Sequence, residues 1–229
     1  MSARGSDGYI LASAIAVLLT ISIVAASLVG APKHAQSALA AGVDILVAQG
    51  NEAGGHTGLI TTLVLVPQIL EIAGNIPVIA AGGIGHGRQI AAVLAMGAQG
   101  AWLGTSWLTT TEHALGEVAV AKLIAAGSED TLLTRSHSGK SCRVTKSGWT
   151  DEWHAPGAPD PLPMPYQQAL TGPLVAAVEE HGIASLYYSP AGQSVAWSCK
   201  VESTRDVMDR LVSETRQSLD ALVSGLDAH

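Results

Sequence analysis

Three short apolar runs, each closing on glycine and small polar residues, constrain this chain more than any other feature. Val43-Asp44-Ile45-Leu46-Val47-Ala48-Gln49 runs into Gly50-Asn51-Glu52-Ala53-Gly54-Gly55-His56-Thr57-Gly58. Pro77-Val78-Ile79-Ala80-Ala81 runs into Gly82-Gly83-Ile84-Gly85, and Ala101-Trp102-Leu103 into Gly104-Thr105-Ser106. Apolar residues at helical spacing lie between them. Strands alternating with helices through short loops imply right-handed βαβ units and a parallel sheet. In α/β barrels the chemistry sits at the C-terminal ends of the strands. Three strand ends of this composition therefore point to one ligand site. The repeat length fits a (β/α) barrel and also an open doubly wound sheet, and periodicity alone does not choose between them.

The pattern predicts a helix over residues 33–41 after the Gly30-Ala31-Pro32 turn, and a strand over 43–48. A helix over 61–73 follows, with Pro67 expected near its start, then a strand over 76–81. Next come a helix over 87–96 stopped by Gly97, a strand over 98–103, and a helix over 114–126. Beyond it the pattern changes to a polar, loop-rich region holding Trp149, Trp153 and a proline-dense run over 156–165, which reads as a cover. Residues 167–181 return to helix, with Gly172-Pro173 expected near its start. Residues 203–226 form a charged amphipathic helix for which Ser203 can serve as N-cap.

Composition narrows the class. Hydrophobic residues make up 48% and charged residues 14% of 229, enough for a large core and against disorder. A formal net charge of -7, with no Lys/Arg cluster, argues against a nucleic-acid partner. Cys142 and Cys199 lie far apart without metal-type spacing, so a reduced pair and a cytoplasmic location are expected, and no metal site. The run 9–29 carries no charge and is long enough to span a bilayer. Its preferred reading is a buried helix-like stretch over 10–19 and a β-branched strand over 21–29, with a membrane anchor as the minority alternative.

Among residues able to carry chemistry, His56 stands first, because a glycine-flanked imidazole can approach a substrate closely and titrates near neutrality. Glu52 reads as a turn-orienting or loop-capping residue and less readily as a catalytic acid. His34, His86, His113, His137, His154 and His181 occur singly and read as surface or capping residues. The glycines of Gly82-Gly83-Ile84-Gly85 would let backbone approach a phosphate, and the first turn of the following helix offers free N–H groups. Gly104-Thr105-Ser106 gives that site a second wall. Gly139-Lys140-Ser141 is not a Walker loop: Thr134 stands where its first glycine belongs, and no strand is read before it.

Taken together, Ala48-Gln49-Gly50-Asn51-Glu52-Ala53-Gly54-Gly55-His56-Thr57-Gly58, Ala80-Ala81-Gly82-Gly83-Ile84 and Leu103-Gly104-Thr105-Ser106 resemble the nitronate monooxygenase family, once called 2-nitropropane dioxygenases. The likeness starts around Leu28-Val29-Gly30-Ala31-Pro32-Lys33-His34-Ala35 and continues through Gly87-Arg88-Gln89 and Trp107-Leu108. It reaches weakly into Ser138-Gly139-Lys140, Trp149-Thr150 and Ala191-Gly192-Gln193. It implies an FMN-dependent α/β protein of TIM-barrel type that oxidises alkyl nitronates with O2 to a carbonyl compound and nitrite. By the same resemblance His56 is the catalytic imidazole, and Gln49 and Gly55 line the flavin. Gly82, Gly83, Gly104 and Thr105 hold its phosphate, and Gln193 returns to the substrate side.

Only about four strand–helix units are readable, so the expected architecture is the C-terminal half of such a barrel. Residues 1–27 would be an atypical apolar segment, 28–112 the half-barrel, 113–195 a helical and loop-rich cover subdomain, and 196–229 a C-terminal strand and helix returning to the barrel. Half a barrel leaves strand edges exposed, so a homo-oligomer, a second chain or impaired activity are among the expectations. Two other functions fit the same motifs: an FMN-dependent enoyl-acyl-carrier-protein reductase, and a non-catalytic remnant.

Overall fold

The computed structural model describes residues 25–227. Four parallel strands, β1 (Ala26–Val29), β2 (Ile45–Gln49), β4 (Val78–Ala81) and β5 (Gly100–Trp102), lie side by side in that order. The helices α1 (Pro32–Ala40), α2 (Thr62–Ala73) and α3 (Gly87–Ala95) connect or follow them. Successive side chains of a strand point to opposite faces, and in the central strands both faces are buried, Val47 and Ala81 being 1% and 5% exposed. Val29, Leu46, Ala48, Val78 and Ala80 pack under Ala35 and Ala38 of α1, Leu65, Val66 and Ile69 of α2, and Val93 of α3. On the other face Leu28 and Trp102 are 54% and 52% exposed. The sheet is one arc of a barrel wall, clad outside by helices and open inside at its edge strands β1 and β5.

Register makes the site. Gln49 pairs with Ala81, and Ala81 with Trp102, so three consecutive strands end in one row. The turns that follow are thereby brought to one edge of the sheet.

The cover differs from expectation. It contains two four-residue strands, β6 (Thr131–Thr134) and β7 (Cys142–Thr145), paired antiparallel with each other. β7 also pairs with a two-residue strand, β3 (Gly55–His56), so the His56 turn belongs to the cover's sheet. All four residues of β7 are buried, and the alternation of Cys142-Arg143-Val144-Thr145 is too short to mark a strand on its own. The remaining helices are α4 (Glu117–Ala125), α5 (Gly148–His154), α6 (Tyr166–Glu180) and α7 (Thr204–Asp227).

Both prolines expected at helix starts lie inside helices, Pro67 in α2 and Pro173 in α6. The bond that Pro67 forgoes is to the carbonyl of Leu63, a residue 67% exposed on the outer side of α2, where water can serve instead. The expected strand beyond residue 196 is absent among the described residues; only an isolated bridge links Glu202 to Thr110. Ser203 does cap α7, its Oγ accepting from Asp206 N at 3.1 Å. Of the run 9–29, residues 26–29 form β1; the rest of that expectation, through residue 24, lies outside the described residues. Among the described residues no helix is long and apolar enough to cross a membrane.

Candidate active site

A cavity of about 290 Å³ opens at the aligned strand ends. Gln49, Gly55, Gly82, Gly83, Gly104 and Thr105, all expected at a flavin site, line it together with Leu28, Ile84, Trp102 and Leu108. Its floor is the row Gln49, Ala81, Trp102 set by strand register.

The glycines do different work. Gly82 (φ 106°) and Gly83 (φ 65°) hold conformations that side chains disfavour. A Cβ on Gly82 would lie 2.9 Å from the backbone of Gly50, and one on Gly83 would lie 2.7 Å from Cβ of Glu52. These two are required by the protein itself. Gly104 has an ordinary negative φ of -114°, and a Cβ there would meet nothing within 4 Å. Glycine at 104 leaves open space beside the cavity that packing does not demand.

Free donors occur on both turns. The N–H groups of Gly83, Ile84, Thr105 and Ser106 find no acceptor among the described residues. The Ser106 hydroxyl is buried without a hydrogen-bond partner. Such a set of unspent donors suits an anion.

The first turn of α3 was expected to serve the same anion, and it does not. Gly87 N donates to Glu214 Oε2 of α7 at 2.8 Å, and Arg88 N donates to His86 Nδ1 at 3.1 Å. A carboxylate of the protein already stands where a phosphate would sit on that helix. His86 is the N-cap of α3, as its position before the helix suggested.

His56 is exposed and is not part of the cavity lining, although Gly54 and Gly55 before it are. Its Nε2 is hydrogen-bonded to Oγ of Ser138, a residue 1% exposed. The ring thus stands at the cavity rim in a fixed orientation. His137 lies beside it, ring centroids 6.2 Å apart, and its Nδ1 is hydrogen-bonded to Tyr188 Oη at 3.0 Å. Burial, with the His56 charge second, holds His137 below the usual histidine range. Burial also pushes the Tyr188 hydroxyl up to about 12, with Cys142 adding to it.

Glu52 is structural. Its carboxylate accepts from Thr62 N and Thr62 Oγ1, capping α2. Arg143 is buried and donates from Nε to Asn51 O at 2.9 Å and from Nη1 to Thr131 Oγ1 at 3.2 Å, tying the cover to the turn that carries His56. Burial lowers its pKa, opposed by the charge of Glu52. Gln193 does not line the strand-end cavity. It lines a neighbouring one of about 460 Å³ that shares Gly82, Gly83, Ile84 and Ser194.

The cover is seamed to the strand ends. Gly192 N donates to Thr105 Oγ1 at 2.9 Å, and Gln193 N donates to Glu52 O at 2.9 Å. A Cβ on Gly54 would lie 2.6 Å from the backbone of Ala191 and Gly192.

Ser138, His137, Tyr188 and Arg143 were not among the sequence candidates for the site. Only Ser138 had a signal, the Ser138-Gly139-Lys140 stretch. Cys142 and Cys199 are both free, and among the described residues no His/Cys/Asp/Glu group could hold a metal ion.

Fold and cavity define a barrel-type α/β protein with a cavity at its strand ends. A profile of the nitronate monooxygenase family matches residues 11–214. A Mycobacterium tuberculosis protein named as a monooxygenase is 53% identical over 148 residues, covering 65% of this chain and 40% of that protein. The structure of a nitroalkane oxidase from Streptomyces ansochromogenes is similar with a TM-score of 0.76 and 34% identity, over 92% of this chain and 62% of that one. FabK from Thermotoga maritima follows with a TM-score of 0.73 and 26% identity, over 87% and 63%. The chain belongs to the nitronate monooxygenase family, a family of oxidoreductases. It spans about half the length of the curated relatives it matches.

Proposed function

We propose that the strand-end cavity holds FMN and that the chain oxidises alkyl nitronates with O2 to a carbonyl compound and nitrite. The observation that carries this is Gly104: a glycine that packing does not require, open to the cavity and followed by two unspent N–H groups. The residues present fit the cofactor. The N–H groups of Gly83, Ile84, Thr105 and Ser106 would hold its phosphate. Leu28, Ile84, Trp102 and Leu108 offer an apolar surface to its ring, and Gln49 offers an amide at the strand end.

When bound, FMN supplies the electron transfer between substrate and O2. The protein's part is to orient an anion and stabilise its charge. His56 stands at the rim with Nε2 tied to Ser138, which leaves Nδ1 to meet the nitronate oxygens. Burial lowers the pKa of neighbouring His137, which favours its neutral form beside the anion.

The test is flavin content and turnover of the purified chain. Flavin absorbance with nitronate-dependent O2 uptake is the expected result. A colourless protein that gains no absorbance with added FMN would overturn the cofactor assignment. NADPH oxidation with a crotonyl thioester and no O2 uptake with nitronate would replace the reaction by enoyl reduction.

A further inference from the structure

A second cavity, of about 240 Å³, lies inside the cover subdomain. Leu115, Trp149, Val175, Val178 and Leu186 give it an apolar wall, while His137 and Tyr188 stand on its polar side. Two observations relate it to the site at the strand ends. Pro190 lines both cavities. The imidazole of His137, part of the second cavity's wall, lies 6.2 Å from that of His56. A molecule held at His56 therefore has, within one ring's length, a largely apolar chamber on the cover side.

We infer that this chamber is a side-chain pocket for the substrate and selects nitronates bearing a ring-sized apolar substituent, an aryl or cyclic alkyl group. The inference rests on the nitronate reading above and names the substrate class for it. Volume sets the size: a dry apolar cavity of roughly 150 Å³ holds one benzene ring, and this one is larger by about one substituent. Its walls set the chemistry. Trp149 and Tyr188 stand with ring centroids 5.7 Å apart, and both belong to the same buried cluster as Cys142 and Val144. An aromatic guest adds to such a cluster in offset or edge-to-face contact.

Exposed Glu179 also lines the chamber, but the polar groups of its aromatic cluster are already satisfied. His137 Nδ1 is bonded to Tyr188 Oη, and Trp149 Nε1 donates to Ser136 Oγ at 3.2 Å. A guest entering here therefore need supply no hydrogen bond to these groups, so hydrocarbon is preferred over a polar chain of equal length.

The experiment uses the full chain with a nitronate series from nitroethane to 1-nitropentane and phenylnitromethane. In parallel, benzyl alcohol serves as an unreactive probe, followed by saturation-transfer NMR. KM is expected to fall about fourfold per added methylene, with phenylnitromethane among the lowest. Val175→Phe, which fills the chamber from a half-buried position on α6, should flatten the series and abolish probe binding. Leu186→Ala should shift the preference to larger rings, and circular dichroism reports whether each variant is folded. A KM independent of chain length, with no probe bound by the wild type, overturns the pocket while leaving nitronate oxidation intact. Probe binding that Val175→Phe removes, without turnover of any nitronate, overturns the reaction and keeps the chamber as an aryl site.

Discussion

Glu214 of the last helix accepts a hydrogen bond from the N–H of Gly87 at 2.8 Å and lies 3.3 Å from Nδ1 of His86. A carboxylate thus sits on the first turn of α3, and α7 crosses so closely that Gly87 has no room for a side chain. An anion at a helix N-terminus is worth about 0.3–1 kcal/mol when exposed and up to about 2 when partly buried. Glu214→Gln should therefore lower stability by about 1 kcal/mol in denaturant titration and leave flavin content unchanged. Loss of flavin in that variant would return the phosphate to this helix.

Gly104 and Gly83 separate ligand space from protein space. Gly104→Val should keep the stability of the cofactor-free chain within about 0.5 kcal/mol but abolish flavin binding. Gly83→Val forces a branched side chain into a positive φ against Glu52, costing roughly 1–3 kcal/mol from the backbone alone. It should lower the melting temperature with or without FMN. Equal flavin content in Gly104→Val and wild type would place the cofactor elsewhere.

His56→Asn should lower nitronate turnover by about 10²–10⁴-fold, the range for a positioned acid or base. Flavin should be retained, since His56 does not line the strand-end cavity. Ser138→Ala should act in the same direction by freeing the ring. Steady-state O2 uptake with flavin quantified in each preparation checks both.

The pH dependence of stability should carry the signature of His137. In the unfolded chain histidine titrates near 6.5, and in the folded chain burial holds His137 lower. Between those values the unfolded state binds more protons, so stability rises with pH. It is fully present above about pH 6.5 and is lost as pH falls through the folded-state value. Denaturant midpoints compared for wild type and His137→Phe from roughly pH 5 to 8 should show that slope only in the wild type.

Thiol chemistry gives a check on the cover's packing. Burial pushes the Cys142 thiol up to about 11, while Cys199 is exposed. One thiol should react with a disulfide reagent near neutral pH in the native protein and two after denaturation. Rapid reaction of both in the native state would show that the sheet formed by β3, β7 and β6 opens.

What the sequence disclosed and what it hid follow one rule. The strands at 45–49 and 78–81 are continuous apolar runs closed by glycine, and a parallel sheet clad by helices needs that local pattern. The convergence of Gln49, Gly82 and Gly104 followed from the strand repeat. Contacts between remote segments left no such trace. Glu214 meets Gly87 across 127 positions, and His137 meets Tyr188 across 51. Neither element's own periodicity encodes the encounter. Short β6 and β7 were hidden because a strand of four residues is too brief for any periodicity to stand out from the loops around it. Pro67 and Pro173 misled because a proline's cost depends on whether the orphaned carbonyl can reach water.

Backbone atoms of Gly54 and of Ala191-Gly192 touch with no space for even a methyl group between them. Such a joint cannot slide or hinge without rupturing the bonds from Gly192 to Thr105 and from Gln193 to Glu52. A ligand entering the strand-end cavity would then pass along the open inner face, where Leu28 and Trp102 are half exposed. Under the proposed function, access along that face would set how fast dioxygen and product come and go.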